Sequence, residues 1–264
     1  MVENFLDTLR SCKSDLVALV EGDDFWIDPN KLQAQVDFMT NHPAYTMCFT
    51  NNFYWDEWNS HFTQFKRDPN SSQTLTPEDF IEGYPCGTCV IMLRRSAVRD
   101  LPDWLHQVKA LDWPLTFLFS LAGPVGFLPI MAGVYRRHSE SLWSPKPFEQ
   151  KMADTIPTLK LMDQHTGGAY SAQFQRTITR HYVSAIEHLL KEGRVEEART
   201  WYLDSLKHAP DHQQPNSERF AQYSELLGSS VESGSEQLTA SDTRTDKPRI
   251  WDRLVSRIRP KDGT

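Results

Sequence analysis

Two rhythms of apolar and polar positions run along the chain. In "NFLDTLRSC", Phe5, Leu6 and Leu9 keep a helical spacing. "DLVALV" is a short continuous apolar run, which predicts a strand buried on both faces in a parallel sheet. "DPNKLQAQVDFMTNHP" predicts a helix: Asp28 as cap, Pro29 in the first turn, and Leu32, Val36 and Met39 on one face. Asn41 and Pro43 stop it. "YTMCFTNNFYW" predicts a second strand, and "TCVIMLRRS" a third, followed by a short helix near Ala97. Asp112 opens the helix "WPLTFLFSLAG", which ends at Gly123. "VGFL" and "MAGVYRRH" predict further strands. Strands alternating with helices indicate an α/β layer architecture.

The stretch Leu115 to Val134 has 20 residues without a charge, long enough to span a bilayer. Gly123-Pro124 and Pro129 break it, so it reads as helix, turn and strand.

After about Trp143 the rhythm becomes wholly helical, from Glu149 to about Leu227. "HYVSAIEHLLKEGRVEEARTWYLDSLKHAP" reads as a helical hairpin with Gly193 at its turn. Val183, Ile186 and Leu190, then Val195, Ala198, Tyr202 and Leu206, are its apolar positions. It looks like one tetratricopeptide-like unit, and stacks of such units need about three repeats. "GSSVESGSEQLTASDTRTD" is polar and is expected to be disordered. The final stretch predicts a short basic amphipathic helix: Trp251, Leu254, Val255 and Ile258 form its apolar face. The expected divisions are 1–145, 146–227 and 228–264.

Composition narrows the classes. The chain has 264 residues, 39% of them hydrophobic, enough for a sizeable core. A formal charge of -7 argues against a general nucleic-acid binder. Four cysteines at irregular spacing suggest reduced thiols and a cytoplasmic setting. Cys86 and Cys89 form a C-x-x-C. No second such pair exists, and this one precedes a strand, so the packing reading is preferred to zinc or redox chemistry. "MVENFLDTLRSCKSD" lacks the basic and apolar regions of a signal peptide. The basic terminal helix adds the expectation of a peripheral contact at the inner membrane face.

The candidate chemistry sits where "LVALV" ends. Glu21, Asp23 and Asp24 place three carboxylates within four residues, beside Gly22. In open α/β sheets, ligands bind beyond the carboxyl ends of the parallel strands. Hard oxygen donors on a tight turn suit Mg²⁺ or Mn²⁺ held together with substrate phosphates. The competing reading is a capped, solvated loop.

The wider segment "LVALVEGDDFWIDPNKLQAQVDFMTNHP" resembles the acidic segment of family 2 glycosyltransferases: a strand, then Asp/Glu-Gly-Asp-Asp, an aromatic pair and Pro-x-Lys-Leu. "CGTCVIMLRRS" looks like the family's acceptor-side strand. "ALDWPLTFLFSLAG" looks like the segment of its catalytic carboxylate, and "GVYRRHSESLWS" like its closing Tyr-Arg-x-His motif. The four matches run in the family's order from about Asn4 to Ser144.

The resemblance implies an incomplete GT-A-like (Rossmann-like) mixed sheet with flanking helices, followed by a small all-α region. It implies a metal-dependent, inverting transfer of sugar from a nucleotide donor, a UDP-sugar by expectation, to a glycan or lipid-linked acceptor. Asp112 would be the catalytic base; its competing role is a helix N-cap. Asp23 and Glu21 would hold Mn²⁺ or Mg²⁺ or the donor, and His138 the metal or the diphosphate. Arg136 and Arg137 would add positive charge, and Asp24 would cap the turn. Trp26 and Trp113 line the pocket in one reading and pack structurally in the other. The family's N-terminal nucleotide-binding strands have no counterpart here. The expectation is therefore a truncated transferase that binds UDP-sugar weakly alone, with another chain as a candidate partner for the missing half of the sheet. The rival reading is a non-catalytic interaction protein built on the helical hairpin. A metal phosphohydrolase ranks last.

Overall fold

The computed structural model describes residues 2–64, 68, 74–98, 100–208, 223 and 227. The chain divides into two compact units, Met1–Pro215 and Asn216–Thr264. In the second, only Tyr223 and Leu227 are described, and both are buried. The expected polar tail and terminal amphipathic helix lie outside the described residues.

The first unit opens with α1 (Val2–Ser11), β1 (Leu16–Ala18), β2 (Phe25–Trp26), α2 (Lys31–Asn41), β3 (Met47–Asp56) and β4 (His61–Gln64). It continues with β5 (Thr74–Leu75), α3 (Pro77–Glu82), β6 (Ile91–Arg94), α4 (Asp112–Ala122) and β7 (Val125–Arg137). Three helices close it: α5 (Phe148–His165), α6 (Ser171–Lys191) and α7 (Val195–His208). The described strands form one mixed sheet in the order β1-β6-β3-β7-β2, with β4 on β3 and β5 on β7. This is an α/β fold of generic Rossmann-like type: a mixed sheet flanked by helices, then an all-α stretch.

Both faces of the sheet are covered. On one, a core containing Leu6, Phe49, Phe80, Phe117, Phe119 and Phe127 joins α1, α3 and α4 to the strands. Ile156, Leu159, Phe174 and Ile178 of α5 and α6 belong to the same core. On the other face, Met39, Cys48 and Met92 make a smaller cluster with Leu16, Ala18, Val36 and Phe38. A β-carbon on Gly126 would lie 2.3 Å from the Phe38 ring, so a larger residue there would push the ring aside where α2 packs on β7.

Several elements differ from the pattern-based expectation. β1 has only three residues and runs antiparallel to β6, at one end of the strand order. Its alternation is visible: Val17 enters the main core, while Leu16 and Ala18 face the smaller cluster. "VGFL" and "MAGVYRRH" are one strand, β7. Its register against β3 jumps from Thr50↔Leu128 to Asn51↔Met131. The slip takes up Pro129, which has no N–H to give to a ladder.

α2 begins at Lys31, two residues after Pro29, because Asp28 accepts the Asn30 N–H in a local turn before the helix. Its buried positions are Lys31, Gln35 and Met39, whereas Leu32 is exposed. α4 is apolar on nearly every side because it lies within the protein core. No described helix is long and apolar enough to cross a membrane. Gly193, at φ +73°, makes the turn between α6 and α7. Val195 and Leu206 of the expected apolar set are exposed there.

Candidate functional site

The end of β7 organises the acidic residues. β2 pairs with β7 at Phe25↔Val134, so the turn just before β2 reaches the last residues of β7. The turn closes on itself through the Asp24 N–H, which donates to the Glu21 carbonyl at 3.1 Å. It is tied to β7 by the Arg136 N–H, which donates to Asp24 Oδ1 at 2.9 Å. The Arg136 guanidinium donates to the Asp23 carbonyl at 3.4 Å and pairs with Glu57 on the far side. One residue past Arg137, His138 Nε2 stands 2.9 Å from Asp23 Oδ2. Two residues 115 positions apart thus share one hydrogen bond.

Asp112 joins this end from α4. Its carboxyl accepts the Trp113 N–H and the Thr88 hydroxyl. It is the first residue of α4, and the cap position belongs to Leu111. Burial nonetheless wins over these hydrogen bonds and raises the Asp112 pKa.

The electrostatics are those of crowded carboxylates. Glu21 is exposed as a residue, yet protein around its carboxyl removes much of its hydration. That desolvation, followed by repulsion from Asp112, Asp24 and Asp23, pushes its pKa up to about 7. Burial, with Asp23 nearby, pushes Asp24 up to about 6 against the bond from Arg136. Asp24 Oδ2 is buried without a partner in hydrogen-bonding geometry; the neighbouring Cys89 thiol offers only a weak donor. Tyr135 is raised by burial and by the same three acids, Glu21, Asp112 and Asp24.

The predicted residues therefore separate. Asp23, His138, Asp24 and Arg136 are bonded together, and Glu21 and Asp112 are within each other's field. Arg137 is turned to other work: it lies opposite Asp56 in the β3–β7 register and helps lower the Asp56 pKa. Trp26 and Trp113 are packing residues, donating to the Cys89 and Phe80 carbonyls at 2.7 and 2.5 Å. Trp26 also lies 4.2 Å from the buried Lys31 ammonium. Cys86 and Cys89 are buried, and neither is in a disulfide.

Pattern reading missed Glu57, Thr88 and Tyr135. Only the Tyr-Arg-x-His stretch carried a signal for one of them, Tyr135. Among the described residues, no three His, Cys, Asp or Glu side chains are arranged to hold a metal ion. A separate cavity of about 480 Å³ opens among α5, α6 and α7, lined by Pro157, Lys160, Tyr182, Trp201 and Asp204, and shares no residue with the acidic end.

No family model matches the chain. Among curated proteins, it is similar to uncharacterized proteins of Mycobacterium bovis and Mycobacterium tuberculosis, 34% identical over 145 residues in each case. The match covers 53% of this chain and 40% of each relative, so the chain spans about two fifths of the length of the curated relatives it matches.

Proposed function

We propose that this chain carries the metal and acceptor side of an inverting, nucleotide-sugar-dependent glycosyltransferase, with a UDP-sugar as donor and a glycan or lipid-linked acceptor. The observation that carries the reading is the Asp23–His138 contact on the turn whose Glu21 carboxyl lies in the field of Asp112. It joins three segments that separately resemble the family's acidic, catalytic and closing motifs.

The residues present fit a divalent cation shared with a diphosphate. Mg²⁺ and Mn²⁺ of this kind take one or two protein ligands and fill the rest with water and phosphate, so a third protein donor is not required. Asp23 Oδ2 and His138 Nε2 lie 2.9 Å apart, so the two side chains would be the ones to hold such an ion. The orphaned Asp24 Oδ2 and the raised Glu21 mark a place where positive charge is wanted. Asp23 and His138 would hold the ion, which would stabilise charge on a leaving diphosphate. Asp112 would take the proton of the acceptor hydroxyl, and a carboxyl raised by burial is closer to the pKa a base needs near neutrality. The Thr88 hydroxyl and Trp113 N–H aim it. Arg136 fixes the turn to β7.

A second reading has its own observation. The cavity among α5–α7, beside the exposed Leu203 and Leu206, suits an interaction protein in which the acidic end is idle.

Mn²⁺ titration of this chain followed by water-proton relaxation, with UDP release from a panel of UDP-sugars measured once the nucleotide-binding half is supplied, separates the two. The transferase reading expects one Mn²⁺ site, lost in Asp23→Ala and kept in Asp112→Asn, with sugar transfer lost in both. Wild-type rates in both variants, or no Mn²⁺ site at all, favour the second.

A further inference from the structure

Two arginines close β7, and each meets an acid at the end of β3. Asp56 stands opposite Arg137 in the β3–β7 register. Glu57, one residue on, pairs with Arg136: its Oε1 accepts from the guanidinium Nε at 3.0 Å and from Nη2 as well.

The backbone fixes Glu57 in place. Its N–H donates to the Arg137 carbonyl at 3.0 Å, which extends the β3–β7 pairing by one residue. The β3–β4 hairpin turn that follows is closed by Asp56, whose carboxylate accepts the N–H groups of Trp58 and Asn59 and the Asn59 amide.

On its other side Arg136 reaches the acidic turn. Nη1 donates to the Asp23 carbonyl at 3.4 Å, a neutral acceptor, whereas the Asp23 carboxylate goes to His138. A hydrogen bond from a guanidinium to a carboxylate is roughly twice as strong as one between neutral groups, so the carboxylate of the same residue is the better partner for a free Arg136. Hydration does not choose between the two acids, since the Asp23 and Glu57 side chains are 39% and 36% exposed. What separates them is that Glu57 already holds the guanidinium. Without Glu57, Arg136 would turn from the Asp23 carbonyl to the Asp23 carboxylate and cancel charge in the acidic turn.

The geometry points to Glu57 as a positioning residue: it takes the Arg136 guanidinium, and so leaves the Asp23 carboxylate to His138 and to a cation. The cation part rests on the transferase reading; the release of Asp23 to His138 rests on the hydrogen bonds alone. An exposed ion pair adds little to stability, so the effect is read at the turn.

NMR of the full chain carrying isotope-labelled histidine tests this without metal or catalysis. Glu57→Gln keeps the shape of the side chain and removes its charge. In that variant the His138 ring-nitrogen resonances, at one fixed pH, should move toward those of Asp23→Asn, because Arg136 now competes for the Asp23 carboxylate. Glu57→Asp retains the charge and should move them less. In an Arg136→Gln background Glu57→Gln should leave them where they are, since Glu57 acts through Arg136. Both side chains are partly exposed, so the variants keep the fold, checked by circular dichroism. Unmoved His138 resonances in Glu57→Gln, or the same displacement with and without Arg136, overturn the inference. Mn²⁺ titration by water-proton relaxation reads the cation part: affinity should fall about threefold to tenfold in Glu57→Gln. Equal affinity in variant and wild type overturns that part. A wild type that binds no Mn²⁺ ends the transferase reading, and the histidine resonances then decide the positioning by themselves.

Discussion

The acidic end of β7 and the helical region from α5 to α7 handle the same side chains in opposite ways. In the helices, carboxylates are matched to cations. Arg194 gathers Glu149, Glu192 and Glu197, and Lys146 meets Asp154 at 2.7 Å. Backbone and arginine hydrogen bonds hold Glu149 below the usual carboxylate range, and the bonds from Arg194 do the same for Glu197. At the end of β7, Glu21, Asp23, Asp24 and Asp112 crowd together with His138 and the shared Arg136, and burial and repulsion drive Glu21 up to about 7 and Asp24 to about 6. The chain has 28 Lys and Arg residues, so cations were available. Their scarcity at one site is an arrangement that keeps the local field negative. Sites of function commonly hold such unrelieved charge at some cost in stability.

The sharpest test of that contrast is Asp112→Asn. On the proposed transferase reading, loss of a base costs roughly 10²- to 10⁴-fold in rate, so UDP-sugar transfer should fall at least ~100-fold. Calorimetry should show a Tm unchanged or slightly higher, because the variant removes a buried charge. A clear loss of stability would make the acidic end structural, like the helices.

Glu21→Gln comes next, with a pH signature. A carboxyl whose pKa rises on folding binds more protons in the native state, so stability is lost as pH climbs from its unfolded value of 4.5 to about 7. The neutral variant escapes that loss. Discounted for solvent screening, the gain is about 1 kcal/mol, or roughly 2–4 °C in Tm, at pH 8. The difference should vanish near pH 4.5, and a constant difference across pH would refute the charge argument.

Arg194→Met reverses the sign, since it strips the cation from three glutamates. Tm should fall by roughly 2 °C at pH 7.5, with no change in transfer. Because Glu149 and Glu197 have depressed pKa values, the effect should fade as pH drops through their titration. A variant as stable as the wild type at pH 7.5 would show that the helical network contributes nothing measurable.

Salt gives the smallest response. About 1 M NaCl shortens the Debye length to roughly 3 Å. The wild type's advantage over Arg194→Met should narrow, and so should the gain from Glu21→Gln. Each change should be about 1 °C or less.

How much of this was legible before folding depends on the element. The helix ending at Gly123, the turn at Gly193 and the strand around Phe49 follow from local signals. The acidic turn announced itself by composition; that Asp23 bonds to His138 and that Glu21 lies in the field of Asp112 could not be read there. The hairpin aromatics did not announce themselves, because "NFYWDEWNSHF" has no feature separating exposed rings from packed ones. Trp26 meets the Cys89 carbonyl and the Lys31 ammonium, whereas Trp58 sits exposed in a turn, and both outcomes depend on the fold.

By itself the sequence determined which runs are apolar, where Gly123 and Gly193 end helices, and which residue types crowd before β2. Tertiary structure decided the rest. It turned Lys31 and Gln35 inward and Leu32 outward, fused two expected strands into β7 across Pro129, and set β1 antiparallel to β6. It also brought His138 to Asp23. The division has a physical cause. Caps, turns and periodicity act through neighbours a few bonds away, so they can be read along the chain. Register, helix facing and the meeting of distant charges depend on which surfaces the sheet brings together, and no single segment carries that information.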